Sequence, residues 1–223
     1  MHYDKFAKYY DSFATGNSAD IVRRMANEFA PDAKTLLDIA CGTGNDLVEL
    51  SKDYECTGID ISQEMLKIAQ KKNKNITLYR RDMRDFNLDG KFDIIICMFD
   101  SINHLSSIKE VEDTLQCAKR HMHRHSVLIF DVNTFSYLES LGSGYEFHLE
   151  NGIHLSLIPN KRIAHWKIMD KKGSLECIDE YFFTLDELKG SALKFFRNVK
   201  IMDENCEDAH EMNHRAYFVC QNP

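Results

Sequence analysis

The chain has 223 residues, with 28 Lys and Arg against 35 Asp and Glu, for a formal net charge of −7. That balance argues against a nucleic-acid partner, because phosphate backbones are bound by clustered positive charge. Apolar residues make up 43% and charged residues 28%, which excludes wholesale disorder and predicts a globular domain with a sizeable core.

Met1 to Tyr10 is polar and aromatic and has no signal-peptide core. Ile21, Met25, Ala26 and Phe29 recur at helical spacing until Pro31-Asp32 interrupts them. Thr35 to Ala40 is an almost continuous apolar run, as in a strand covered on both faces. Glycines follow, then Leu47, Val48 and Leu50 at helical spacing. Cys56 to Asp60 is a second strand, and Met65, Leu66, Ile68 and Ala69 mark another helix. Ile76 to Tyr79 and Phe92 to Cys97 are the third and fourth strands. Ser107 with Glu110 forms a capping box opening a helix through Val111, Leu115 and Ala118. Val127 to Asp131 is the fifth strand. Strands alternating with helices predict βαβ units and a parallel sheet.

After Asp131 the pattern changes. His148-Leu149-Glu150-Asn151-Gly152-Ile153-His154-Leu155 is a hairpin signal, with Asn151-Gly152 supplying a two-residue turn. Lys161 to Met169, containing Trp166, and Leu175 to Phe183 are further strands around a turn at Asp170–Gly173. Thr184 with Glu187 is a second capping box, opening a helix to about Lys194. Phe195 to Met202 and Ala216 to Cys220 are two last strands able to rejoin the main sheet. The expected division is a main domain of residues 1–131 and 185–223, with an antiparallel β insert at 132–184.

Asp38-Ile39-Ala40-Cys41-Gly42-Thr43-Gly44-Asn45 joins the first strand to its helix. Glycines there let a ligand approach the backbone, and the helix start offers free N–H groups. Asp60 ends the next strand, where a carboxylate can accept both hydroxyls of a ribose. A dinucleotide enzyme would want a third glycine where this chain has Leu47, and Asp38 would repel a pyrophosphate. Asp38 suits a ligand with an ammonium group. S-adenosylmethionine offers ribose, adenine, an ammonium, a carboxylate and a sulfonium, and no phosphate.

These residues resemble the class I S-adenosylmethionine-dependent methyltransferases. Leu36 to Asn45 looks like that family's first motif and Asp60 matches its ribose acid. Asp82-Met83 matches its adenine-binding pair, and Cys97-Met98-Phe99-Asp100-Ser101-Ile102-Asn103-His104 matches its fourth-strand motif. Asp82 to Phe86 and the Met98-Phe99 pair are similar to amino-sugar N-methyltransferases and related small-molecule enzymes. Phe6-Ala7 with Tyr10-Asp11 resembles their N-terminal helix, whose tyrosine lies over the methionine part of the cofactor. Two departures stand out: His123-Arg124-His125-Ser126 replaces the usual Pro-Gly-Gly before the fifth strand, and Asp131-Val132-Asn133-Thr134 after it is unlike the amino-sugar enzymes.

The resemblance implies an α/β fold, a doubly wound seven-stranded mostly parallel sheet of the Rossmann-like methyltransferase type, whose last strand pair is antiparallel. The antiparallel insert is expected to roof the active site. S-adenosyl-L-methionine is the implied cofactor, held by Tyr10, Asp38, Ala40, Cys41, Gly42, Gly44, Asp60, Ile61, Met65, Asp82, Met83, Met98 and Phe99. His104 is the first candidate for a base and Asp100 the second. Tyr145, His148, Trp166 and Glu180 are candidate substrate contacts. His121, His123 and His125 alternate and would share a face on a strand, but no fourth ligand is evident, so no metal site is expected. Lys71, Lys72 and Lys74 suit a helix C-terminus.

The expected function is methyl transfer to N or O of a small molecule. A protein or RNA methyltransferase would show a basic rim or a flat open site, and a non-catalytic cofactor-binding protein would lack a substrate cavity. The longest clean apolar run, Ile94 to Phe99, is far below the roughly 20 residues needed to span a bilayer. The seven cysteines form no Cys-x-x-Cys pair, which predicts reduced thiols and a cytoplasmic location. No membrane or nucleic-acid partner is expected, and the protein is expected as a monomer or homodimer.

Overall fold

The computed structural model describes residues 3–14, 16–150 and 152–222. In chain order the elements are α1 (Ala7–Phe13), α2 (Ala19–Phe29), β1 (Thr35–Ile39), α3 (Asn45–Leu50), β2 (Glu55–Asp60), α4 (Gln63–Lys72), β3 (Thr77–Arg80), β4 (Phe92–Cys97), α5 (Ile108–Arg120) and β5 (Met122–Asn133). They continue with α6 (Phe135–Ser140), β6 (Tyr145–His148), β7 (His154–Asn160), β8 (Ile163–Asp170), β9 (Gly173–Tyr181), α7 (Leu185–Ala192), β10 (Asn198–Met202) and β11 (Arg215–Gln221).

Seven strands form the main sheet in the order β10-β11-β5-β4-β1-β2-β3. Its five central and edge βαβ strands run parallel, while β11 is antiparallel to both β5 and β10. Alternation along each strand fills both faces. Leu37, Ile39, Ile95, Leu128 and Phe130 pack towards α5 and α7. Leu36, Ile94, Ile96, Val127 and Ile129 pack with Val22, Met25, Leu47 and Leu66 on the other face. A sheet buried on both sides needs continuous apolar strands, which is what β1 and β4 are. No helix among the described residues is long and apolar enough to cross a membrane.

A second, four-stranded antiparallel sheet, β6-β7-β8-β9, lies in sequence between β5 and α7. Its inner face carries Leu155, Ile168 and Ile178, which are buried against Phe6 of the N-terminal segment, with Tyr3, Tyr10 and Trp166 packed alongside. Helix α7 has the expected reciprocal capping box between Thr184 and Glu187. The Ser107 box is only half formed. The Ser107 hydroxyl accepts from Glu110 N–H, but the Glu110 carboxylate turns to Ser106 and Arg84 instead.

Three local features differ from the expectations. The fifth strand begins at Met122, five residues before the expected Val127, because a bulge carries His123 to Ser126 through the pairing with β4. The β6–β7 hairpin pairs His148 with His154, one residue out of the register that a turn centred on Asn151-Gly152 would set. Leu149 N–H closes on the Ile153 carbonyl instead, and Asn151 itself lies outside the described residues. A one-residue slip exchanges the two faces of a strand, so it decides which β6 side chains look inward. Helix α6 was not expected. It is capped by Thr134, whose hydroxyl accepts from Tyr137 N–H.

Candidate active site

The β1–α3 loop is shaped by local crowding. Gly44 has φ +76°, and a Cβ there would lie 2.9 Å from that of Ala69. Gly58 on β2 is a closer case, since a Cβ would come within 2.6 Å of Leu47 and 2.8 Å of both Cys41 and Leu78. These glycines let α3 and α4 approach the sheet. Gly42 differs, with φ +52° and open space where its side chain would be.

Asp60 at the end of β2 ties this loop down. Its carboxylate accepts from Gly42 N–H at 2.8 Å and from Ser62 N–H at 2.7 Å. Burial raises its pKa, and these backbone donors oppose the rise. Beside it, Asp38 is buried and pushed well up, first by desolvation and then by Asp46 and Asp60. Asp46 sits in the first turn of α3, accepts from Ser18 N–H, and is raised by burial to about 6. Asp38 and Asp46 share a small pocket with Tyr10, Cys41, Met98 and Phe99. Buried carboxylates so close to one another favour a cationic guest.

That pocket opens beside a larger cavity of about 400 Å³ running between the main sheet and the second sheet. Tyr10, Ala40, Gly42, Asp60, Ile61 and Met65 line one end, with Asp82, Met83 and Phe99. Of the thirteen predicted cofactor residues, Gly44 alone lines neither space, and its place is in the turn. Trp166 and Glu180 line the other end. Tyr145 and His148 do not. The Tyr145 hydroxyl donates to the Ser140 carbonyl, and His148 stacks on His154 at 4.3 Å on the opposite face of its hairpin. Phe147, between them in sequence, lines the cavity.

His104 ends a short 3₁₀ turn after β4 and also lines the cavity. Its Nδ1 lies 3.4 Å from the Asp179 carbonyl, and its Nε2 lies 3.0 Å from the Tyr3 hydroxyl. A carbonyl only accepts, so Nδ1 carries the proton and Nε2 accepts from Tyr3. Burial lowers the pKa of His104 and keeps it neutral. Tyr3 therefore stands in front of the imidazole.

Asp100 is bound elsewhere. It and Phe99 both adopt left-handed backbone, at φ 49° and 56°, a costly conformation for non-glycine residues that collects at functional sites. Its carboxylate is 2.8 Å from Arg215 Nη2, and Arg215 Nη1 also pairs with the fully buried Asp131. Arg215 donates in addition to the Asn133 side chain at 3.1 Å. Burial raises Asp131 to about 6 against the opposing pull of Arg215.

Sequence reasoning missed Asp46, Arg215, Asp131, Tyr3 and Phe147. Asp46 reads as an ordinary first-turn acid, and a lone arginine at a strand start carries no motif. Lys71 and Lys72 lie in the last turn of α4, as expected. Lys72 also reaches Asp11 at 2.7 Å and Asn45 Oδ1 at 2.6 Å, clasping α1 to the glycine loop. Thr43 donates to the same Asp11. The three histidines do not converge on one point. His121 is buried, accepts from Leu88 N–H and stacks on Phe86. His123 pairs with Asp93 at 2.7 Å, and His125 is exposed.

The donors and acceptors fit S-adenosylmethionine. Asp60 keeps lone pairs for two ribose hydroxyls, the Asp38–Asp46 pair suits an ammonium, and Gly42 leaves the backbone open. Asp82 is held down by Arg84, at 2.6 Å, and retains acceptor capacity for an adenine amino group.

The seven-stranded sheet with its antiparallel last pair is the Rossmann-like methyltransferase fold. Residues 36–125 match the family model described as a methyltransferase domain. It is 34% identical over 139 residues to a putative methyltransferase, YqeM, of Bacillus subtilis, covering 60% of this chain and 56% of that one. It is 33% identical over 148 residues to the dTDP-3-amino-3,6-dideoxy-alpha-D-glucopyranose N,N-dimethyltransferase of Streptomyces fradiae, covering 63% of this chain and 57% of that one. The chain thus spans a little over half the length of these curated relatives. Its fold is that of a crystallised S-adenosylmethionine-dependent methyltransferase from Clostridium acetobutylicum, with a TM-score of 0.81, 23% identity and 98% of each chain covered. A sugar N-methyltransferase from Streptoalloteichus has the same fold, with a TM-score of 0.77 and 22% identity over 99% of this chain and 93% of that one.

Proposed function

We propose that the protein is an S-adenosylmethionine-dependent methyltransferase acting on nitrogen or oxygen of a small molecule. One observation carries this reading. A single cavity runs from Asp60 and Asp82 at one end to Trp166 and Glu180 at the other, so a cofactor and an acceptor fit end to end. The N-methylating activity of a sugar-methyltransferase relative supports it. Residues 132–184 act as the substrate roof, residues 1–131 and 185–223 as the cofactor domain, and the protein works in the cytoplasm.

When bound, the cofactor supplies a sulfonium methyl, which passes to the acceptor's lone pair as the carbon–sulfur bond breaks and leaves S-adenosylhomocysteine. The chain's part is alignment and desolvation. Asp60 holds the ribose, and Asp82 and Met83 take the adenine. Asp38 and Asp46 hold the ammonium, and Tyr10 covers the methionine portion. A proton leaving the acceptor passes to the Tyr3 oxygen as the Tyr3 proton moves to His104 Nε2. Asp100, fixed by Arg215, shapes the floor beneath the acceptor.

Incubation with methyl-labelled cofactor and a panel of amines, phenols, sugars and carboxylates tests this. Labelled product with an equivalent of S-adenosylhomocysteine is expected. Failure to bind S-adenosylhomocysteine in calorimetry removes the reading.

The pH dependence of binding follows from the buried acids. Asp46 at about 6 is above its ordinary 3.8, so the folded protein holds a proton that the unfolded chain has released. Its contribution to stability is full below about 4 and is lost as pH rises through about 6. An ammonium on this carboxylate favours its ionised form, so binding expels protons. Affinity for S-adenosylhomocysteine should weaken as pH falls through about 6, and Asp46→Asn should flatten the profile. A flat wild-type profile in calorimetry takes Asp46 out of the ammonium site.

A further inference from the structure

The acceptor end of the cavity has a definite chemistry. The inner face of the second sheet is apolar apart from two acids. Glu176 is used, accepting from Phe6 N–H at 3.0 Å. Glu180 is 5% exposed and lines the cavity. The Trp166 indole N–H donates to its Oε1 at 2.7 Å, while Oε2 is buried and has no hydrogen-bond partner. Burial, with Asp100 nearby, pushes Glu180 up to about 8, so a cationic guest with N–H donors would both hold it ionised and satisfy the unpaired oxygen, whose burial alone costs on the order of 1–3 kcal/mol.

Aromatic rings pack around Trp166, the partner of Glu180, and line the cavity beside it. Phe147 stacks on Trp166 with centroids 6.4 Å apart, and Phe13 meets Trp166 edge-on at 5.6 Å and Phe147 at 6.4 Å. Tyr137 lines the same space. Ring faces and a carboxylate together recognise an ammonium on an apolar body.

The cations of the cavity lining point the same way. Among the described residues it contains Arg81, Arg84 and Arg215 and no lysine. Arg215 is committed to Asp131 and Asp100, and Arg84 to Asp82 and Glu110. Arg81 lies beside Asp82 at the adenine end and donates to the Arg80 carbonyl. The roof end thus holds no uncommitted cation for a diphosphate, the group borne by the nucleotide-sugar acceptors in the relatives' names.

Resting on the methyltransferase reading, we infer that the acceptor is an amine with an apolar body and no phosphate, its ammonium seated on Glu180 beside Trp166, Phe147 and Phe13 and losing one proton through Tyr3 to His104 before its lone pair takes the methyl. Glu180 takes the place of the phosphate-binding cations that a nucleotide-linked acceptor would require, and the aromatic rings take the body.

Calorimetry on the full chain tests this in two stages. S-adenosylhomocysteine is titrated first, and its failure to bind defeats the underlying methyltransferase reading. The loaded protein is then titrated with 2-phenylethylamine, 2-phenylethanol, phenylacetate and thymidine diphosphate. The amine is expected to bind at least tenfold more tightly than the other three probes. Glu180→Gln, which can still accept from Trp166, should keep S-adenosylhomocysteine affinity and reduce the amine's advantage at least tenfold. Equal binding of amine and alcohol, tighter binding of thymidine diphosphate, or an unchanged amine preference in Glu180→Gln overturns the inference while the cofactor reading stands. The comparison of probes on the wild-type protein decides the matter even if the variant does not fold.

Discussion

Replacing Arg215 with methionine should remove about 3–5 kcal/mol of folding stability, the usual cost of stripping one partner from a buried ion pair. For a domain of this size that corresponds to a fall of roughly 6–20 °C in melting temperature. The reason is geometric. Asp131 is fully buried, Asp100 is partly buried at 16% side-chain exposure, and Arg215 is the cation between them. The Asp100 backbone N–H still donates to Asp131 at 3.2 Å, but one amide does not neutralise two carboxylates. The loss should shrink in mild acid, because Asp131 is already raised to about 6 and rises further without its partner, so it becomes neutral instead of unpaired. Adding Asp131→Asn should recover part of the loss at neutral pH. Thermal melts of the two single variants and the double variant form a cycle. A loss below about 1 kcal/mol at neutral pH, the range of exposed pairs, would show that the arginine is not neutralising buried charge.

Asp60→Ala should weaken S-adenosylhomocysteine binding by roughly 10–100-fold. The substitution removes the acceptor for the ribose hydroxyls, a net loss of about 1.5–3 kcal/mol, the scale of a hydrogen bond to a charged group. It also frees the N–H groups of Gly42 and Ser62, so the loop loses the anchor that sets its shape. Asp60→Asn separates the two effects. It keeps one acceptor oxygen and should retain more of the loop's order than of the affinity. Calorimetry with the three proteins measures this, and unchanged affinity in Asp60→Ala would take Asp60 out of the site.

The main sheet was legible because both of its faces are covered, and strands so placed are apolar throughout. That the glycine loop, Asp60 and Asp82-Met83 would come together was legible for another reason, and they line one cavity. Backbone approach and ribose recognition restrict residue type at fixed distances along the chain. The roof obeyed neither constraint. The alternation in Tyr145 to His148 was readable, but its register depended on the turn, and one residue of slip put His148 outside and Phe147 inside. Arg215 was invisible in principle, because its partners Asp100 and Asp131 lie 115 and 84 residues away and nothing local demands a cation at a strand start. The further contact of Lys72 with Asp11 went unread because a lysine ending a helix already has a sufficient local explanation.

Helix α1 touches both layers of the molecule. Asp11 is clasped by Lys72 and Thr43 at the cofactor loop, and Phe6 just before the helix is buried in the apolar face of the roof and bonded through its N–H to Glu176. Helix α6 covers one part of the roof's apolar face, where Leu138 packs with Leu157 and Ala164, and this short segment covers another, completing a hydrophobic core that four strands cannot close alone. The two sheets are thereby joined into one cooperative unit. Loosening the segment uncovers the roof and the cofactor loop together, so resistance to unfolding and retention of cofactor become a single quantity that cannot be tuned separately.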